Sequence, residues 1–171
     1  ATIESLVAAA RDDVLVVADP NCRPSAIVDA VGYRARLGRI LGRVDIVKVS
    51  VDDLAWLDPL AGPLAAAEGL MDLGPAAVLI TDGPRPVRLL TLSRVTEIAV
   101  PAVRVVDTVG AGDAFGAGFL AAWTADGRGR ADLADERALV AATQFAIEVG
   151  ALTTTRAGAE PPTLAELASV T

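Results

Sequence analysis

A chain of 171 residues that is 53% hydrophobic, with mean hydropathy +0.48 and only 4% aromatic residues, has enough apolar side chain for one domain. Its core should consist of Ala-rich helices packed on strands of Val, Ile and Leu. A formal charge of −7 and a pI near 4.5 argue against broad attachment to nucleic acid or anionic membrane, and the lack of histidine removes Ser/His and Cys/His nucleophilic schemes.

The single cysteine, Cys22, allows neither an intrachain disulfide nor a cysteine-based zinc site, and it fits a cytoplasmic setting. Glu4, Arg11, Asp12 and Asp13 interrupt any leader-like apolar run, and no stretch is long enough to read as a membrane span. The chain opens at Ala1 inside a helical pattern, so processing or truncation is expected.

In chain order, Ser5–Arg11 reads as a helix and Val14–Ala18 as a buried strand closed by Asp19-Pro20-Asn21. Residues 25–41 read as a helix with Ser25 as N-cap after Pro24, and Val44–Val49 as the next strand. Ser50-Val51-Asp52-Asp53 resembles a capping box opening a helix whose apolar side is Leu54, Trp56 and Leu57. A further helix is predicted over Pro63–Leu73, a strand over Ala76–Thr81 ending at Asp82-Gly83, and a hairpin over Val87–Leu92 and Val95–Val100. Helices are then predicted over Asp113–Thr124, Leu133–Val149 and Thr163–Ser169, with Asp126-Gly127-Arg128-Gly129-Arg130 as a flexible connector.

The repeated strand, polar loop and helix predict a three-layer α/β/α fold on a mostly parallel sheet. Polar residues fall at the carboxyl ends of three strands: Asp19, Asn21 and Arg23; Lys48, Ser50 and Asp53; Thr81, Asp82 and Gly83. Open α/β sheets bind ligands at that edge.

The run Val105 to Gly118 carries the densest chemical signal. Gly110 and Gly112 let the main chain turn without side chains in the way, so N–H groups can converge on an anion where a helix begins. Asp113 then reads either as a general base beside that cradle or as an ordinary helix N-cap, in equal measure on local grounds. The spacing G-x-G-x-x-x-G departs from the dinucleotide fingerprint, and no lysine follows the glycines as a P-loop requires.

Asp107-Thr108-Val109-Gly110-Ala111-Gly112-Asp113, with the Gly- and Ala-rich helix after it, resembles the carboxyl-terminal signature of the ribokinase-like (PfkB) carbohydrate kinases. Three stretches agree in order: Asp19-Pro20-Asn21-Cys22-Arg23-Pro24 is similar to D-P-N-x-R-P, Lys48 to Asp53 to K-x-S-x-x-E, and Thr154 to Ala159 to T-R-x-G-A. The resemblance covers nearly the whole chain.

It implies residues 1–171 as a single nucleotide-binding, catalytic portion of an ATP-dependent sugar kinase, with the amino-terminal half and its β lid absent. The implied substrate class is fructokinase-like or 2-keto-3-deoxygluconate kinase-like. Asp113 is then the base toward a sugar hydroxyl, the backbone of Gly110, Ala111 and Gly112 the anion hole, and Arg23 a sugar contact. Lys48, Ser50, Thr81, Gly83, Gly158 and Ala159 fall on the nucleotide side. Asp53 corresponds to an acid acting indirectly on Mg2+, and Asp107 to one that holds K+ where a monovalent cation is needed.

Each of these positions has a plainer local reading: Asp53 as a helix-start acid, Lys48 as a strand lysine reaching solvent, Asp107 as a brace for its loop, Arg23 in a surface ion pair, and Gly158-Ala159 as a turn. Pro84-Arg85-Pro86 departs from the family's nucleotide loop after Thr81-Asp82-Gly83. The implied partners are a sugar and ATP, with a homodimer or the missing half completing the sugar side. The alternative is a catalytically silent nucleotide-binding or assembly module; a dinucleotide-binding oxidoreductase fragment is the weakest third reading.

Overall fold

In the computed structural model, which describes residues 2–168, five strands are hydrogen-bonded in the order of the chain. They are β1 (Val17–Ala18), β2 (Ile46–Ser50), β3 (Ala77–Asp82), β4 (Arg85–Thr91) and β5 (Val95–Ile98). The β1–β2 and β2–β3 pairs are parallel, whereas β3–β4 and β4–β5 are antiparallel, so the sheet is mixed and only β4 runs against the rest. The helices are α1 (Ile3–Ala8), α2 (Ala30–Leu41), α3 (Val51–Leu57), α4 (Pro63–Met71), α5 (Ala111–Ala125), α6 (Glu136–Thr153) and α7 (Leu164–Ala168).

Strand alternation sorts the side chains into two cores. Ile46, Ala77, Leu79 and Leu89 pack with Phe115, Phe119, Trp123, Leu139 and Ile147 of α5 and α6. Val47, Val49, Val78 and Ile80 pack with Leu41, Leu54, Ala67 and Leu70 of α2, α3 and α4. The three-layer expectation therefore holds. No helix among the described residues is long and apolar enough to cross a membrane.

Several boundaries differ from the sequence reading, each for a local reason. β1 is two residues long because the Val16 N–H donates to the Asp45 carboxylate at 2.8 Å, outside the strand ladder. α2 begins at Ala30 and not after Ser25, since Asp29 takes the Gly32 N–H at 2.8 Å and Ala26 and Ile27 turn back onto the Arg23 carbonyl. Gly83-Pro84 is the tip of a tight hairpin, with Gly83 at φ +55° and Asp82 paired to Arg85 across it. Two connecting residues suffice for antiparallel strands, whereas a parallel return needs a crossover.

α5 starts two residues earlier than predicted, α6 runs on to Thr153, and a short turn of 3-10 helix, Arg130–Asp132, occupies part of the predicted connector. The predicted end of the last helix, Ser169, lies outside the described residues. α5 and α6 pack closely because a Cβ at Gly118 would sit 3.0 Å from the Val149 side chain, and one at Gly150 would sit 3.3 Å from the Ala111 carbonyl.

At the amino ends of the parallel strands, Asp45 is 5% exposed and forms a charged node. It accepts from Arg130 at 2.7 Å, Arg43 at 3.2 Å and the Val16 N–H. The same arginines reach the carbonyls of Arg11, Asp12 and Val14, so one carboxylate joins the segment before β1, the start of β2 and the α5–α6 connection.

Candidate active site

The carboxyl ends of β1 and β2 meet the start of α5. Gly110 is the N-cap of that helix at φ +76°, a left-handed conformation that L side chains rarely adopt. Space imposes the same residue: a Cβ at 110 would fall 2.5 Å from the Ala159 Cβ and 2.9 Å from its Cα. Gly110→Ala is expected to lower stability by about 1–2 kcal/mol from backbone conformation alone, plus the displacement of Ala159. Urea unfolding checks this; an unchanged midpoint would mean that the turn relaxes freely.

Asp113 is the third residue of α5 and so is not its N-cap, a position that Gly110 takes. Its carboxylate is exposed and has no hydrogen bond or ion pair among the described residues. The Ala111 N–H lies 3.3 Å from the Thr108 carbonyl, while those of Gly110, Gly112 and Asp113 have no backbone acceptor among the described residues. Unpaired donors at a helix N-terminus favour an anion.

Lys48 points from β2 to the same place. It is 8% exposed, and its Nζ donates to Asp19 Oδ2 at 2.8 Å. A Cβ at position 112 would sit 2.8 Å from that Nζ, so Gly112 leaves room for the ammonium against the helix start. A cation facing the positive end of a dipole is unfavourable unless a negative group sits between or beside them. Asp19 supplies one such group.

Asp53 is only 6% exposed, and its carboxylate is fully engaged in holding the chain. It accepts from the Cys22 N–H at 2.7 Å, the Ser50 N–H at 3.2 Å and the Ser50 hydroxyl at 2.6 Å, and the Asp53 N–H donates back to Ser50 Oγ. The predicted capping box is therefore complete, and it pins the Asp19–Arg23 loop to the β2–α3 junction. Tyr33 holds the loop from the other side, donating to the Pro20 carbonyl at 2.9 Å. Burial, then the Cys22 thiol, push the Tyr33 phenol up to about 12, so it remains a donor. Arg23 is exposed and donates to the Cys22 carbonyl at 3.0 Å.

Asp107 braces the glycine turn from outside. Its carboxylate accepts from the Val109 N–H at 3.0 Å and from the Gly158 N–H at 2.9 Å, while the Val106 and Asp107 N–H groups donate to the Thr154 carbonyl. Those backbone donors hold the Asp107 carboxyl below its ordinary value. A depressed folded value gives a tie that is intact above the ordinary carboxylate range and lost as pH falls through the folded value. Protection of the Gly158 amide against hydrogen exchange should accordingly persist to a lower pH than ordinary carboxylate titration allows; loss tracking the ordinary range would remove the tie.

Beside the glycine turn lies a mainly apolar cavity of about 500 Å³. Thr81 and Gly83 of the hairpin line it, with Val103 from the extended segment after β5, Phe115 and Ile147 from the helices, and Gly112 from the turn itself. Lys48, Ser50, Gly158 and Ala159 are not among its lining residues: Lys48 faces the start of α5, Ser50 is committed to Asp53, and Gly158-Ala159 backs the turn. Sequence reasoning missed the wall formed by Val100, Pro101, Val103 and Val105. The available signal was a Pro-broken apolar run too irregular to continue the hairpin.

The sequence model described as pfkB family carbohydrate kinase matches residues 2–166. A fructokinase of Rhizobium leguminosarum bv. trifolii is 37% identical over 125 residues, covering 73% of this chain and 38% of that protein. The crystal structure of a fructokinase with bound ATP from Xylella fastidiosa superposes with a TM-score of 0.83 at 31% identity, covering 92% of this chain and 52% of that one. A Vibrio cholerae fructokinase with fructose, ADP and potassium ion bound gives 0.80 at 27% identity, covering 91% and 49%. The chain thus spans about half the length of these relatives or less.

Proposed function

Because the chain belongs to the pfkB family of carbohydrate kinases, we propose that it is the nucleotide-binding, catalytic portion of an ATP-dependent kinase acting on a hydroxyl of fructose or of a 2-keto-3-deoxy sugar acid. The observation that carries this reading is the unpaired Asp113 carboxylate standing beside the unengaged N–H groups at the start of α5. In this scheme the adenosine occupies the apolar cavity and the phosphates run toward Gly112 and Lys48. Asp113 accepts the proton as the sugar oxygen bonds to the γ-phosphorus, and the bond to the bridging oxygen of departing ADP breaks. The N–H groups of Gly110 and Gly112, with the weakly held one of Ala111, face the charge on the transferred group.

Magnesium neutralises phosphate charge in such transfers. Asp53 does not fit as a direct ligand, since its carboxylate already accepts three hydrogen bonds in a nearly closed environment, so its contribution is indirect, through the loop it holds. Asp107 fits a monovalent cation better: each oxygen accepts one backbone N–H, leaving acceptor capacity toward an ion such as K+. Arg23 is exposed on the loop assigned to the sugar.

A second reading is favoured by the coverage of about half of each relative: the chain binds nucleotide without turnover, with a second copy or an amino-terminal portion completing the sugar side. Calorimetry with ATP and Mg2+, paired with a turnover assay on fructose and 2-keto-3-deoxygluconate, separates the two. Turnover supports the kinase reading, and binding alone supports the module. Preference for NAD over ATP would overturn both.

A further inference from the structure

The Lys48–Asp19 pair joins two parts of the site. Lys48 Nζ lies against the α5 start at Gly112, while Asp19 opens the loop that carries Arg23 and accepts from the Asn21 N–H at 3.1 Å. Asn21 itself sits at φ +42°, so the loop turns sharply around this carboxylate. Lys48 is nearly buried whereas the side chain of Asp19 is 27% exposed, so the pair has one fixed member and one that can yield.

We propose that Asp19 is a displaceable counter-ion: it occupies the Lys48 ammonium when the site is empty, and a phosphate-bearing nucleotide takes that ammonium over, so that the Asp19–Arg23 loop loses one of the ties it has beside those to Asp53 and Tyr33. This rests on the nucleotide assignment above and adds to it a coupling between the two substrate sites. Both anions compete for one buried cation, since a carboxylate 2.8 Å away satisfies the charge that a phosphate would otherwise meet. By linkage, whatever draws Asp19 away from Lys48 on the sugar side strengthens nucleotide binding, and the reverse.

The experiment is a double-mutant cycle read by ATP calorimetry on the wild-type chain, Asp19→Asn, Lys48→Met and the double variant. Asp19→Asn is expected to tighten ATP binding about five- to tenfold, the scale of one screened charge–charge interaction. That gain should vanish in the Lys48→Met background, because the carboxylate acts through the lysine. Unchanged or weaker binding by Asp19→Asn overturns the proposal, as does an equal gain in both backgrounds, which would mark plain through-space repulsion.

Cys22 gives a readout that needs no nucleotide. It is the chain's one cysteine, 6% exposed, on the loop in question. Thiol labelling of the free protein should be several-fold faster in both single variants than in wild type, at equal global stability. If ATP binds none of the four proteins, the nucleotide assignment falls, and with it the displacement by phosphate. Labelling then judges the latch alone, and equal rates overturn it too.

Discussion

On the proposed kinase reading, replacing Asp113 by asparagine is expected to lower kcat for sugar phosphorylation about 10²–10⁴-fold, while ATP affinity moves by no more than about threefold. Asp19, Asp53 and Asp107 each spend their oxygens on partners within the fold: Lys48 and the Asn21 N–H, the Cys22 and Ser50 donors, and the Val109 and Gly158 N–H groups. Asp113 does not. Asparagine keeps its size and its place on the first turn of α5 but cannot accept a proton, so the proton-transfer step fails while the cavity and the unpaired N–H groups persist. Steady-state kinetics with calorimetry on the same preparation test the split. Retained kcat would remove Asp113 as base, and a parallel loss of ATP binding would reassign it to organising the turn.

The second large effect lies far from the chemistry. Asp45→Asn should destabilise the fold by about 3 kcal/mol, because it leaves the Arg43 and Arg130 guanidiniums facing a neutral amide in a largely closed environment. Arg43 already carries a buried Nε with no partner, so the node has no spare acceptor to offer. For a chain of this length the loss corresponds to a melting temperature lower by roughly 6–12 °C. Thermal unfolding at neutral pH reads it directly. A shift below about 2 °C would show that solvent around Arg130, which is partly exposed, replaces the carboxylate.

What sequence made legible here was whatever backbone chemistry writes into residue type. Gly110 announced a left-handed turn that L side chains rarely adopt, and Ser50 with Asp53 announced a capping box that the structure completes. Apolar residues such as Val47 and Val49, and the run Val78–Ile80, located the central strands. The helix start at Ala30 was hidden because Ser25 and Asp29 are both good caps, and only the anchoring of the preceding loop by Asp53 and Tyr33 places the chain to use the second. The cavity wall was hidden for a different reason: Val103 and Val105 acquire their role from α5 and α6, helices that follow them in the chain. Lys48 was legible as a cation near the site, but its counter-ion, on another strand's loop, was not.

The brace between Asp107 and Gly158 spans 51 residues of sequence, and Gly110 rests directly on Ala159. Contacts of such separation carry a larger loop-closure cost than the hairpin and helix contacts between them. The glycine turn therefore takes its shape from the segment beyond α6 as well as from its own helix.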